Sequence, residues 1–440
     1  MRILVCDDRN PSEIVDAIEA GTAVGFEIQT LPASELTTLI STFFQRDDGG
    51  VRTFLDSKAS DREATQLASG FDGFDLILLD NNLAELSFLG LPLTAEAIAG
   101  FVRAFSDTPY VVSLNKNPAV DFDLKYLIGD FESKADLALN TEHLECSALW
   151  GVNDAAGDEY APWYWPDLTA APARRREQIQ FVLEHLDEPI LASLGFPKSA
   201  TESLSRRAVA FLSSAAAQPG NPANAGAKPL TRVTFWNHFQ NSGRSLPIDY
   251  RASVAFPDAR SEDTRRNRLL SAAKAPDNAL TRQIIARVVA GELDYWFRRD
   301  VLATQDVLVD APHLKMKIGL APDGENGLDN SIAATGAPFG FLPQIHAELL
   351  AKRAFCHGAW TGRPAFWWPE VESDKKLALV RAEYAAKKIW VFCEDTRSFV
   401  EQGGASSAAS FVPDGGKPWA PLFVRRVQGK GYMPASQFAA

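Results

Sequence analysis

The sequence predicts an α/β fold in its first third, with a parallel sheet covered on both faces by helices. A helical connector and a mixed α+β C-terminal domain are expected to follow. Three observations carry this reading. Short apolar runs alternate with stretches of helical spacing as far as residue 115, the pattern of strand–helix–strand units. One of these runs, "LILL" (76–79), is apolar at successive positions, as a strand buried on both faces requires. The texture then changes near residue 150, where longer helical patterns are separated by Pro- and Gly-rich segments.

The elements follow in order. "RILVC" (2–6) is a short apolar strand, and "PSEIVDAIEA" (11–20) a helix with Ile14, Val15 and Ile18 on one face. "GFEIQT" (25–30) is a second strand and "FDLILLD" (74–80) a third. The interval 33–73 is long for a connection; one or two further helices are expected in it, with "QRDDGGVR" as a loop. "TAEAIAGFVRAF" (94–105) is a helix leading into a fourth strand, "YVVSLN" (110–115). Beyond 150, "RRREQIQFVLEHL" (174–186), "SLSRRAVAFLSSAAA" (203–217) and "LTRQIIARVVAGELDYWFRRDVL" (280–302) read as helices. "QPGNPANAGAKP" (218–229) has the composition of a linker. The expected organisation is therefore 1–148, a connector over 149–228, and a C-terminal domain over 229–440.

A chain of 440 residues exceeds what one hydrophobic core usually serves. No apolar run reaches the ~18 residues a membrane helix needs. "MRILVCDD" shows no charged leader and apolar core, and four cysteines without CxxC spacing argue against a disulfide framework or zinc knuckle. A cytoplasmic protein without membrane contact is the expectation. The net charge of −12 is unevenly spread: residues 1–150 hold 10 Lys+Arg against 25 Asp+Glu, the remainder 34 against 31. The acidic first part is a poor nucleic-acid binder. Residues 230–300, with 12 basic and 8 acidic side chains, leave nucleic acid open as a weakly supported partner.

Ligands of open parallel sheets bind outside the carboxyl ends of the strands. Asp7 and Asp8 follow the first strand there, Asp80 ends the third, and Ser113 lies near the end of the fourth. Three carboxylates at one edge repel one another, and a hard divalent cation such as Mg²⁺ relieves that repulsion and accepts phosphate oxygens. An Asp beside such a metal can act as a nucleophile and form an aspartyl-phosphate.

"ILVCDD", "LILLD" and "YVVSLN" together resemble the response-regulator receiver domains of two-component signalling. The resemblance covers residues 1–145 and implies a doubly wound, five-stranded, flavodoxin-like parallel sheet. It also implies that Asp80 is the phosphoacceptor, and that Mg²⁺ is held by Asp7, Asp8, Asp80 and the backbone carbonyl of Asn82. Ser113 would bond a phosphoryl oxygen, and a Lys at the end of the fifth strand would neutralise phosphoryl charge. Lys134 in "GDFESKADLALN" fills that place. If 135–140 is the fifth strand, Lys134 precedes it and Lys116 becomes the competitor. The implied partner is a cognate histidine kinase or phosphotransfer protein, and a homodimer is compatible with the resemblance. The alternatives are a degenerate receiver regulating a C-terminal enzyme or nucleic-acid-binding domain, and a phosphoryl sink or interaction scaffold.

Chemistry-bearing motifs are thin in the remainder: no GxSxG, P-loop, HExxH or GxGxxG occurs. Asp306, Asp310 and His313 in "DVLVDAPHL" could make a site, although a strand ending in a polar turn explains them equally. Cys356 and His357, adjacent in "CHGAW", point apart on a strand. Trp163, Trp165, Trp367 and Trp368 read as packing residues.

Overall fold

The fold is that of a computed structural model. It describes residues 1–7, 9–22, 25–31, 33–41, 44–47, 50–53, 61–80, 82–88, 91–115, 134–145, 147–151, 167–213, 230–241, 274–302, 304–310, 313–314, 317, 352–355, 359–361, 365–375, 390–393 and 398–401. Five strands form the first sheet: β1 (Arg2–Cys6), β2 (Glu27–Leu31), β3 (Leu76–Asp80), β4 (Tyr110–Asn115) and β5 (Leu137–Asn140). Their order is β2-β1-β3-β4-β5, and each neighbouring pair is parallel. This is an α/β fold with the strand order of flavodoxin-like proteins.

Period-two alternation distributes the apolar strand residues between two layers. Ile3, Val5, Leu76, Leu78, Val112 and Leu114 face one layer with Ile14 and Ile18 of helix α1 (Pro11–Gly21). Leu4, Cys6, Ile77, Leu79 and Val111 face the other. That second layer includes helices α2 (Ala33–Ser41), α3 (Asp61–Ala68) and α4 (Ala95–Phe105), which contribute Leu36, Ala64 and Val102. The expected helices in 33–73 are thus α2 and α3. "QRDDGGVR", expected as a loop, is instead most of a hairpin, Phe44–Asp47 pairing antiparallel with Gly50–Thr53. Its Asp- and Gly-rich centre has the composition that closes tight hairpins. A second hairpin, Asn82–Phe88 with Leu91–Thr94, follows β3 directly.

Beyond the sheet come α5 (Ala171–Glu184), α6 (Ile190–Ser193), α7 (Lys198–Glu202), α8 (Arg206–Ser213), α9 (Phe235–Asn241) and α10 (Ala279–Trp296). The Asn278 side chain caps α10 by accepting from the Thr281 amide at 3.0 Å. From Val288 to Trp296 every residue of α10 is buried, so it runs through the interior rather than over a surface. A π-helical turn, Phe297–Leu302, extends it. A small antiparallel sheet follows, ordered β6 (Leu308–Asp310), β8 (Ala365–Trp367), β7 (Ala354–Phe355). Trp367 and Trp368 are buried, as packing residues should be.

Among the described residues, one hydrophobic cluster has members on both sides of the expected boundaries, 148/149 and 228/229. Leu79, Val102, Val182, Trp236, Ile285 and Trp367 belong to it. The physical reason is that α4, which covers the sheet, is itself covered by α10. The proposed linker 218–229, the Arg-rich 264–268, Lys116, Trp163, Trp165, Cys356 and His357 lie outside the described residues. Among the described residues, no helix is long and apolar enough to cross a membrane.

At the amino edge of the sheet, five charged groups pack together out of water. Asp136, one residue before β5, takes Arg103 of α4 at 2.7 Å and Arg175 of α5 at 2.9 Å. Asp294 of α10 takes Arg175 at 2.9 Å, Arg298 at 2.8 Å and the Gln178 amide at 2.9 Å. Burial pushes the Asp294 carboxyl up, but Arg298, Arg175 and Gln178 outweigh it and hold the value at about 2. A folded value below the unfolded ~3.9 contributes stability above the unfolded value. That contribution is lost as pH falls through the folded one. Unfolding free energy is therefore expected to drop by roughly 2 kcal/mol on this account between about pH 5 and about pH 2. Urea midpoints across that range check it, since Asp294→Asn should flatten this part of the dependence.

Candidate functional site

The strand order reverses between β1 and β3, because β2 lies beyond β1 on one side and β4 beyond β3 on the other. A crevice at the carboxyl ends of strands forms at such a point. Cys6 and Leu79 are in register across it, and the next residue on each side is Asp7 and Asp80. Both are removed from water, at 1 % and 5 % exposure. They share the α1 face by alternation with Val5 and Leu78, which lie in that layer. They are the kind of donor set from which Mg²⁺ takes one or two ligands.

The Asp7 Oδ1 accepts from the amides of Arg9 at 2.7 Å and Asn10 at 3.1 Å, an Asx-type turn that leads the chain into α1. Asp8 lies outside the described residues. Asn82 opens the hairpin that follows β3, and its backbone is in register with Thr94. Among the described residues, no group of three or more His, Cys, Asp or Glu side chains is placed to hold a metal ion.

Two expected members stand apart from the carboxylate pair. Ser113 is buried in β4, but its register partner is Leu79, whereas Asp80 pairs with Leu114. Side chains paired across a sheet share a face, and the next pair points the other way. Ser113 therefore lies on the face of Leu79, opposite to that of Asp80. Lys134 precedes β5, which spans Leu137–Asn140, and so it lies at the amino edge rather than the carboxyl edge. The local basis is that "LALN", mostly apolar, forms the strand. Asn140 occupies the strand end assigned to a lysine.

Cys6, next to Asp7, is buried, and burial pushes its thiol well up, which suits a packing role. In the C-terminal part, Asp310 and His313 do meet. The Asp310 Oδ1 lies 2.7 Å from His313 Nδ1 and accepts from the His313 amide at 3.0 Å. Its Oδ2 accepts from Gln305 Nε2 at 3.0 Å, and the Gln305 Oε1 accepts from the Asp310 amide at 3.0 Å. Gln305 adopts a φ of 56°, which is uncommon for a side chain of its size. Asp306 instead reaches Lys317 at 3.3 Å. These contacts all close the turns on either side of β6, the polar-turn explanation of the motif.

The charge cluster around Asp136 had no part in the sequence reading. Its only signal was single arginines and acids within otherwise apolar helical stretches, such as Arg103 in "AGFVRAF". No protein-family model matches this chain, and comparison with curated proteins and with solved structures returns no match.

Proposed function

We propose that residues 1–145 act as a receiver-type phosphoacceptor unit of a two-component phosphorelay, with Asp80 as the acceptor. The observation that carries this reading is that two buried carboxylates, Asp7 and Asp80, stand at the carboxyl ends of the adjacent strands β1 and β3, at the switch point of a β2-β1-β3-β4-β5 sheet. An Asp80 carboxylate oxygen would attack the phosphorus of a phosphohistidine on a partner kinase or phosphotransfer protein. The P–N bond breaks, its electron pair leaves with the imidazole, and an aspartyl-phosphate forms. Asp7 and Asp80 would hold Mg²⁺, together with Asp8 and the Asn82 carbonyl from the sequence reading. Bound there, the cation would offset charge on the phosphoryl group. Output would pass through an atypical C-terminal region, 229–440, in a cytoplasmic protein.

A second reading is favoured by the placement of Ser113 and Lys134. A unit that keeps the carboxylates while Ser113 and Lys134 lie elsewhere fits a degenerate receiver, regulating the C-terminal region or acting as a scaffold. Intact mass after incubation with acetyl phosphate and Mg²⁺ separates the two. A gain of one phosphoryl group, lost in Asp80→Asn, is the expected result; no adduct on the folded wild-type chain would leave the degenerate reading.

A further inference from the structure

The buried charges at the amino edge of the sheet join elements from distant parts of the chain. Asp136 bonds β4 in both directions: its Oδ2 accepts from the Val111 amide at 2.8 Å, and its own amide donates to the Val111 carbonyl at 2.7 Å. Its Oδ1 holds Arg103 of α4 and Arg175 of α5, and its backbone carbonyl accepts from Arg298 at 3.1 Å, in the π-helical turn after α10. Arg175 and Arg298 both continue to Asp294 of α10, and the Arg175 guanidinium lies over the Tyr110 ring at 5.6 Å. Arg287 of α10 also reaches the Ala104 carbonyl of α4 at 3.5 Å.

Two physical features make partial opening unfavourable. Three guanidiniums share two carboxylates, so parting α10 from β5 would leave buried charges uncompensated on both sides, at high cost. The approach is also close: a Cβ on Gly291 of α10 would lie 2.9 Å from Arg103 Nε and 3.0 Å from Arg175 Nη1. The glycine leaves room for these two arginine side chains to lie against α10.

We propose that the Asp136–Asp294 cluster is a conformational joint that makes α10 and strand β4 open and close as one unit. Displacement of β4 is thereby passed to the C-terminal helices, and displacement of α10 is passed back to the sheet. The joint stands on its own geometry. Its use as a readout of the Asp80 site is a consequence that rests on the phosphoacceptor reading.

Native-state hydrogen exchange on the full, unmodified chain tests the joint at low, increasing denaturant. Peptides covering 110–114 and 284–296 are expected to share one opening isotherm, distinct from that of 14–18 in α1, which has no member in the cluster. Separate isotherms for 110–114 and 284–296 would overturn the proposal. In Gly291→Ala, exchange should accelerate about tenfold or more in both segments while 14–18 keeps its wild-type rate. Acceleration of 284–296 alone, or equal acceleration of all three, would also overturn it. If the variant does not fold, the wild-type isotherms decide the matter.

Discussion

Asp136→Ala is expected to lower the unfolding free energy by about 3–5 kcal/mol, the cost of breaking a buried ion pair by removing one partner. The magnitude follows from what the carboxylate holds. Its loss leaves the Val111 amide without its side-chain acceptor and takes from Arg103 and Arg175 their shared partner. Arg103 and Asp136 are 9 % and 2 % exposed, so water cannot replace the bonds without opening the interface. A surface pair such as Arg2–Glu27, 45 % and 70 % exposed, should cost less than about 1 kcal/mol when broken. Urea melts of Asp136→Ala and Glu27→Ala side by side check this contrast. Equal midpoints would show that the cluster is not the buried network described above.

Trp296→Ala is the second large effect, expected at about 3–5 kcal/mol. Trp296 ends α10 at 0 % exposure and packs on Phe196, Phe211 and Phe297, with ring centroids 5.9, 6.4 and 5.4 Å away. Its indole N–H donates to the Ala208 carbonyl of α8 at 3.1 Å. Alanine would leave both a cavity among aromatic rings and a carbonyl without its donor. Trp296→Phe fills most of the volume and forfeits the hydrogen bond, so it should cost less, about 1–2 kcal/mol. The ordering Ala below Phe below wild type in a denaturant series is the outcome that checks it.

Much of the architecture was open to reading because local periodicity carries it. β1 and β4 run as expected over 2–6 and 110–115, and α4 over 95–105 against an expected 94–105. Uninterrupted apolar runs meet the needs of central parallel strands, and amphipathic spacing those of covering helices. The hairpin at 44–53 was misread because its polar turn is more conspicuous than its two short strands. The carboxylates were legible for a related reason: an acid directly after an apolar strand must fall at the strand's carboxyl end. That argument reaches Asp7 and Asp80 but does not extend to Ser113, whose face depends on how β4 registers with β3. Nor does it reach Lys134, whose edge depends on where β5 begins.

By itself, the order of amino acids determined the longer apolar strands and amphipathic helices, and that two acids stand at strand ends. Only the tertiary structure decided that those acids stand at the ends of two adjacent strands, β1 and β3, while Ser113 lies on the other face and Lys134 at the other edge. It alone brought Asp136 to Arg103, 33 residues away, and Arg175 to Asp294, 119 residues away. The physical reason is the range of the signal. Backbone periodicity is written within a few neighbouring residues. Register, face and the pairing of buried charges depend on which distant segments exclude water together.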